Sequence, residues 1–261
     1  MKKDIISQIN KIQNDLSLLG VKRGDLLLIH ASYKSMGEII GGAKTFFDAV
    51  LDYLGEDGTL VMPSLSYDRV GADSPCFNLY ETPSCVGYLS EYFRTNVGGA
   101  VRSLHATHSC VAKGKLQSEI ILNHEKDETP VGKNSPFTKV YKYNGKVLFI
   151  GCGTNPNTLM HGVEEIANPP YFLNRNKKVN YCLNDGCGNI INRESYVHKF
   201  KIDGHLVAQR YCKIENLLSS GEIFKGKILN ADSILMLASA VWEKGVEKMK
   251  RDPFYFVEIL K

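Results

Sequence analysis

The stretch Leu26-Leu27-Leu28-Ile29-His30-Ala31-Ser32-Tyr33-Lys34-Ser35-Met36-Gly37, continued through Gly41-Gly42-Ala43 to Thr59-Leu60-Val61-Met62-Pro63, decides the fold. Residues 26–30 form a short unbroken apolar run, the pattern of a strand buried on both faces. A polar loop follows from Ala31 to Gly37, and Gly41-Gly42 leads into a helical stretch from Ala43 to Leu54 that Gly55-Glu56-Asp57-Gly58 closes. Residues 59–63 read as a second buried strand. Strand, helix and strand at this spacing predict a βαβ unit with a parallel strand pair.

Working outward, Ile5, Ile9, Ile12, Leu16 and Leu19 repeat at three and four and predict a packing helix from Asp4 to Leu19. Ser64 to Cys85 lacks periodicity and reads as a loop over the carboxyl end of the sheet, where α/β proteins bind ligands. Gly87 to Phe93 predicts a short helix, Ser109 to Ala112 a strand end, Lys146 to Gly151 a buried strand, and Asn157 to Ala167 a helix. Between Lys177 and Lys201 the pattern alternates about Asp185-Gly186, the mark of a hairpin. Asp232 to Lys248, with Ile234, Leu235, Leu237, Ala238, Val241 and Trp242, predicts a packed helix. The expected class is α/β: a central, largely parallel sheet flanked by helices, with an antiparallel flap near residues 179–200. No linker, repeat or low-complexity tract divides the chain, so residues 1–261 are expected to form a single domain.

Hydrophobic residues make up 43% of the 261 and charged residues 23%, which is ordinary globular usage and excludes disorder, collagen and coiled coil. A net charge of +4 suits an anionic ligand but falls short of a nucleic-acid signature. Residues 1–11 do not resemble a secretory signal and no apolar run approaches the length of a membrane helix, so a cytoplasmic protein with no membrane partner is expected, as a monomer or homodimer. Seven scattered cysteines then read as thiols without disulfides.

Four clusters carry chemistry. The loop His30 to Gly37 offers hydroxyls, backbone N–H groups and Lys34 to a phosphate or an extended amide arm, or is a ligand-free polar turn. Arg102-Ser103-Leu104-His105-Ala106-Thr107-His108-Ser109 packs an arginine, two histidines and three hydroxyls into eight positions. Anion binding by Arg102, Ser103 and Ser109 suits those groups better than zinc, because no carboxylate or thiolate lies at a familiar offset. In Asn155 to Glu165, His161 shares a helical face with Glu164 and Glu165, the usual makings of a general base near neutral pH, although a lone helical histidine is more often structural. Cys182, Cys187, His198 and Cys212 invite a zinc or redox reading, but the two flap cysteines bracket a hairpin turn and no second pair completes a site, so no metal is expected. No G-x-S-x-G elbow is present.

Taken together, these segments resemble one family, the aminoglycoside 3-N-acetyltransferases, whose fold differs from that of the GNAT acetyltransferases. The resemblance is carried by His30-Ala31-Ser32 through Gly37 with Gly41-Gly42-Ala43; Gly58 to Pro63 with Ser66-Tyr67-Asp68; Thr82-Pro83-Ser84 with Gly87, Leu89, Glu91 and Phe93-Arg94; Arg102 to Ser109 with Ala112 and Gly114; Ser135-Pro136; and Thr158-Leu159-Met160-His161 with Glu164 and Ala167. It implies acetyl transfer from acetyl-CoA to the 3-amino group of a 2-deoxystreptamine aminoglycoside antibiotic, directly in a ternary complex. Acetyl-CoA would lie against Ser32, Tyr33, Lys34, Ser35, Met36, Arg102, Ser103, His108 and Ser109. The catalytic set would be His161 as general base with Glu164 and Asn155, and the small-molecule amine would meet Tyr67, Asp68, Glu164, Glu165 and His198. The chain departs from the family pattern at Asn155, where some members have an aspartate, at Asn78, and at Cys212, which aligns loosely with an acid. Fewer acids than a polycation prefers leave N-acetylation of an amino sugar in cell-surface glycan synthesis as an alternative, and the flap cysteines leave one of another class, a zinc or redox binding module.

Overall fold

The computed structural model describes residues 2–260. Its elements in chain order are α1 (Lys2–Leu19), β1 (Leu26–Ala31), α2 (Gly42–Leu54), β2 (Thr59–Pro63), β3 (Cys76–Asn78), α3 (Tyr88–Asn96), β4 (Val101–Arg102), β5 (Cys110–Gly114), α4 (Gln117–Ile121), α5 (Pro136–Lys142), β6 (Lys146–Ile150), α6 (Leu159–Ala167), β7 (Leu173–Asn184), β8 (Ile190–His198), β9 (Lys201–Ile202), β10 (His205–Gln209), β11 (Ile223–Ile228), β12 (Ala231–Leu237), α7 (Ala238–Arg251) and β13 (Val257–Ile259).

The main sheet runs β11-β12-β6-β1-β2-β5-β4. Its centre is parallel as expected: Leu26 pairs with Thr59 and Leu28 with Val61, while Leu28 and His30 pair with Val147 and Phe149. The outer strands β12, β11, β5 and β4 join antiparallel. The period of two sends alternate residues of the continuous apolar runs to opposite faces. Leu27, Ile29, Leu60, Met62, Leu148 and Ile150 pack with Leu16 of α1, Phe46 and Phe47 of α2 and Phe93 of α3. Leu28, Val61, Val147 and Phe149 pack with Phe137 of α5, Val163 of α6 and Trp242 of α7. Each fully buried side chain of this kind contributes roughly 1.5–3 kcal/mol.

The helix expected over 232–248 is corrected by the structure. Residues 231–237 form β12, hydrogen-bonded between β6 and β11, and the helix begins only at Ala238. Ile234 faces Phe149 and Leu235 faces Leu148 across the ladder. The chain passes from strand to helix with no glycine or proline between, so two buried apolar segments merged into one apparent period. Within the stretch read wholly as a loop, Cys76–Asn78 makes the short strand β3, which pairs parallel with β7.

The flap stands where its alternation placed it. β7 and β8 pair antiparallel, with Asn184 opposite Ile190, and Asp185 Oδ1 accepts from the N–H groups of Cys187 and Asn189 in the turn. Val70 and Phe77 from the 64–85 segment are buried with Val179, Tyr181 and Leu183 of β7, so flap and loop share a small core of their own. No helix of the described residues is long and apolar enough to cross a membrane.

Candidate active site

A cleft of about 630 Å³ opens between the carboxyl ends of the central strands, the 64–85 loop and the flap. Tyr67, Val70, Thr107, His108, Asn155, Thr158, His161, Val179, Tyr181, His198, Phe200 and Tyr211 are among its walls. A narrower cavity of about 240 Å³, lined by His30, Ala31, Pro63, Ser90 and Cys152, shares Leu65, Val86, Pro156 and Thr158 with the cleft and so adjoins it.

The centre is built on the first turn of α6. Asn157 Oδ1 accepts from the N–H of Leu159 at the helix start, and the three-residue spacing brings His161 Nδ1 to 3.1 Å from Glu164 Oε2. Glu164 is fully buried, and its carboxylate is satisfied by hydroxyls as well: Tyr211 donates to Oε2 at 2.7 Å and Tyr171 to Oε1 at 3.2 Å. Burial, reinforced by the Glu164 charge, pushes both phenols above the usual tyrosine range and keeps them protonated donors. The Tyr211 oxygen also lies 3.0 Å from His161 Nδ1. An ionised carboxylate only accepts, so Nδ1 carries the proton and Nε2 keeps its lone pair. That is the tautomer a general base requires.

Other histidines surround this one. The His198 ring centroid lies 4.6 Å from that of His161 and 4.9 Å from that of His108. Burial first, then repulsion from neighbouring histidines, holds His108 and His198 well below the ordinary histidine pKa, so both are neutral. His108 Nδ1 meets Thr107 Oγ1 at 2.9 Å, and His105 Nδ1 accepts from the backbone N–H groups of Thr107 and His108, which fixes this turn. At the end of β1, His30 stacks on Phe149 and places Nε2 3.2 Å from Thr158 Oγ1; burial lowers its pKa to about 3.

The structure brings Tyr67, Asn155, His161 and His198 to one cleft, and His108 joins them there rather than at the Ser32 loop. Asn155 lines the wall, while the group that orients His161 is Glu164. In the Ser32 loop, Ser35 Oγ reaches Ser32 Oγ at 2.9 Å and Gly151 O at 3.0 Å, Lys34 is exposed, and Tyr33 packs on Tyr88. The Met36 side chain, at 1% exposure, belongs to the core beneath the loop. Arg102, Ser103 and Ser109 are buried as well. The Arg102 guanidinium donates to Ser109 Oγ and to the carbonyls of Ser64, Leu79 and Thr82, and it covers the Phe77 ring, so it ties loop to sheet. Ser103 Oγ accepts from the N–H of Cys110, and Ser109 Oγ donates to Ser64 O. Asp68 stands outside the cleft lining, 4.0 Å from Arg69. Glu165 leaves on the far side of α6 toward Thr129 and Val131, and burial raises its pKa to about 7.

Sequence reasoning missed Tyr211, Tyr171, Thr158 and Cys152 as parts of the site. Cys212, aligned with an acid, is exposed, and its neighbour Tyr211 supplies the hydroxyl that Glu164 needs. The flap thiols form no cluster with His198: Cys182 faces Cys76 across the β3–β7 ladder and Cys187 is exposed at the turn.

The sequence model of the family described as aminoglycoside 3-N-acetyltransferase matches residues 28–250. The chain belongs to this family. Among curated aminoglycoside acetyltransferase relatives, it is 33% identical over 173 residues to the SPbeta prophage-derived aminoglycoside N(3')-acetyltransferase-like protein YokD of Bacillus subtilis, covering 59% of this chain and 63% of that one. It is 30% identical over 175 residues to aminoglycoside N(3)-acetyltransferase IX of Micromonospora chalcea, covering 60% and 62%. The alignment thus spans about three-fifths of these relatives' length. Among solved structures, the complex described as AAC-IIIb binary with CoASH superposes with a TM-score of 0.77 at 25% identity, over 93% of this chain and 96% of that one.

Proposed function

We propose that the chain is a single acetyl-CoA-dependent N-acetyltransferase domain, with the 3-amino group of a 2-deoxystreptamine aminoglycoside as acceptor and His161 as general base. The observation that carries this reading is the buried Glu164, which holds His161 Nδ1 while Nε2 remains available at the cleft. Acetyl-CoA supplies an activated thioester carbonyl. The donor fits the residues present: a narrow cavity with Leu65, Val86 and Pro156 along its wall joins the His30–Ala31 end of β1 to the cleft, as a long slender arm requires. A protonated amine has no lone pair with which to attack. His161 Nε2 takes the ammonium proton, with Glu164 and Tyr211 stabilising the imidazolium; the freed lone pair would bond to the thioester carbon, and the C–S bond would break as the imidazolium returns its proton to the sulfur and the nitrogen gives up its second proton to solvent, leaving the amide and coenzyme A. Glu164 therefore acts through the histidine.

Incubating the protein with acetyl-CoA and gentamicin, tobramycin or kanamycin while following thiol release tests the reading. Release with one of them is expected, and its absence at high enzyme concentration removes the antibiotic acceptor. A second acceptor class is favoured by the cleft wall itself, where no aspartate or glutamate stands among the described lining residues. A wall of Val70, Val179, Val197, Tyr67, Tyr181 and Phe200 suits an amine of lower charge, such as an amino sugar of glycan synthesis, and thiol release with sugar amines alone would select it.

A further inference from the structure

His108 comes from the turn before β5, His161 from α6 and His198 from the end of β8. Three separate elements thus deliver one imidazole each to the same point, and one ring nitrogen from each lies within 4.8 Å of the other two. Tetrahedral bonds of about 2.0–2.1 Å to zinc set ligand nitrogens about 3.3 Å apart, so ring rotations on the order of an ångström would gather all three. Two of the rings already have outer-shell partners on Nδ1: Glu164 on His161 and Thr107 on His108. A carboxylate or hydroxyl on one ring nitrogen fixes the tautomer and presents the other as a ligand. His198 Nε2 is buried with no hydrogen-bond partner, a loss that an apolar packing role leaves unexplained and a metal bond removes.

We propose that His108, His161 and His198 form a three-imidazole site for a divalent transition ion of the zinc class, with a fourth position open to the cleft. Imidazole nitrogens select such ions over magnesium and calcium, which take oxygen. A second consequence rests on the general-base reading. The ion takes the same lone pair that would accept the amine proton, so metal binding and acetyl transfer exclude each other.

The test uses the full chain stripped of metal. Cobalt(II) titration should give visible d–d absorption saturating at one ion per chain without thiolate charge transfer, and zinc should displace it. His198→Ala and His108→Asn, each checked for folding by circular dichroism, should weaken zinc at least about tenfold in competition with a chromogenic chelator, and magnesium should not compete. No cobalt spectrum, a thiolate band, or unchanged zinc affinity in both folded variants overturns the site. Zinc should also stop thiol release in the acetylation assay and a chelator should restore it. Full turnover with the ion bound overturns the exclusion alone. An enzyme inactive even when metal-free would sink the acetyl-transfer reading instead, while the cobalt spectrum would still decide the metal site.

Discussion

Tyr211 bridges the two residues it serves: its oxygen lies 2.7 Å from Glu164 Oε2 and 3.0 Å from His161 Nδ1. A hydrogen bond to a buried charge contributes about 1.5–3 kcal/mol. Tyr211→Phe should therefore lower stability by about that much, and it should lower kcat roughly tenfold with a shifted pH–rate profile as Glu164 loses a donor. A thermal melt and kcat measured across pH check both. Unchanged kcat at every pH would reduce Tyr211 to a packing residue.

His161→Ala removes the base but none of the narrow cavity. Binding of coenzyme A, followed calorimetrically, should persist while turnover falls by about 10²–10⁴. Near-normal turnover would show that another group takes the proton.

Glu165 sets a pH limit on stability. Burial raises its pKa to about 7 from the ordinary 4.5, so the folded state binds the proton more tightly than the unfolded chain. Its contribution is complete below pH 4.5 and is lost as pH rises to about 7. The melting temperature of Glu165→Gln should exceed that of the parent above pH 7, and the difference should shrink toward pH 4.5. A difference that ignores pH contradicts this assignment.

Gly162 lets α6 meet α7 closely. A Cβ there would lie 2.0 Å from the Trp242 ring, and Trp242 also stacks on Tyr141 of α5. Gly162→Ala should cost about 1–3 kcal/mol by overpacking, read as a fall in denaturation midpoint, and it should reduce activity by displacing the neighbouring His161.

Much of this arrangement is legible in the sequence, for identifiable reasons. Residues 26–30 and 59–63 are read correctly because strands buried on both faces must be apolar throughout, and Asp185-Gly186 marks its hairpin because few other pairs fit such a turn. His161 and Glu164 are legible because three-residue spacing on a helix fixes their neighbourhood. What escapes is long-range. Residues 231–237 imitate the start of the following helix, and only the β6 ladder distinguishes them. Arg102 has the chemistry of an anion ligand, but its carbonyl partners at Ser64, Leu79 and Thr82 are distant in sequence. Tyr211 carries no motif, because a phenol that meets a carboxylate 47 residues away leaves no local pattern. The family resemblance, by contrast, is borne out by the match over residues 28–250.

The ladder that joins Cys76–Asn78 to Cys182–Asn184 has a mechanical consequence. Val70 and Phe77 pack under Val179 and Tyr181, so the hairpin and the long connection beside it form one panel with its own core. Arg102 ties the near edge of that panel to the sheet, through Leu79 and Thr82 on one side and Ser109 on the other. The wall that faces the histidines is therefore seated on the sheet through one guanidinium, and whatever displaces Arg102 displaces hairpin and connection together.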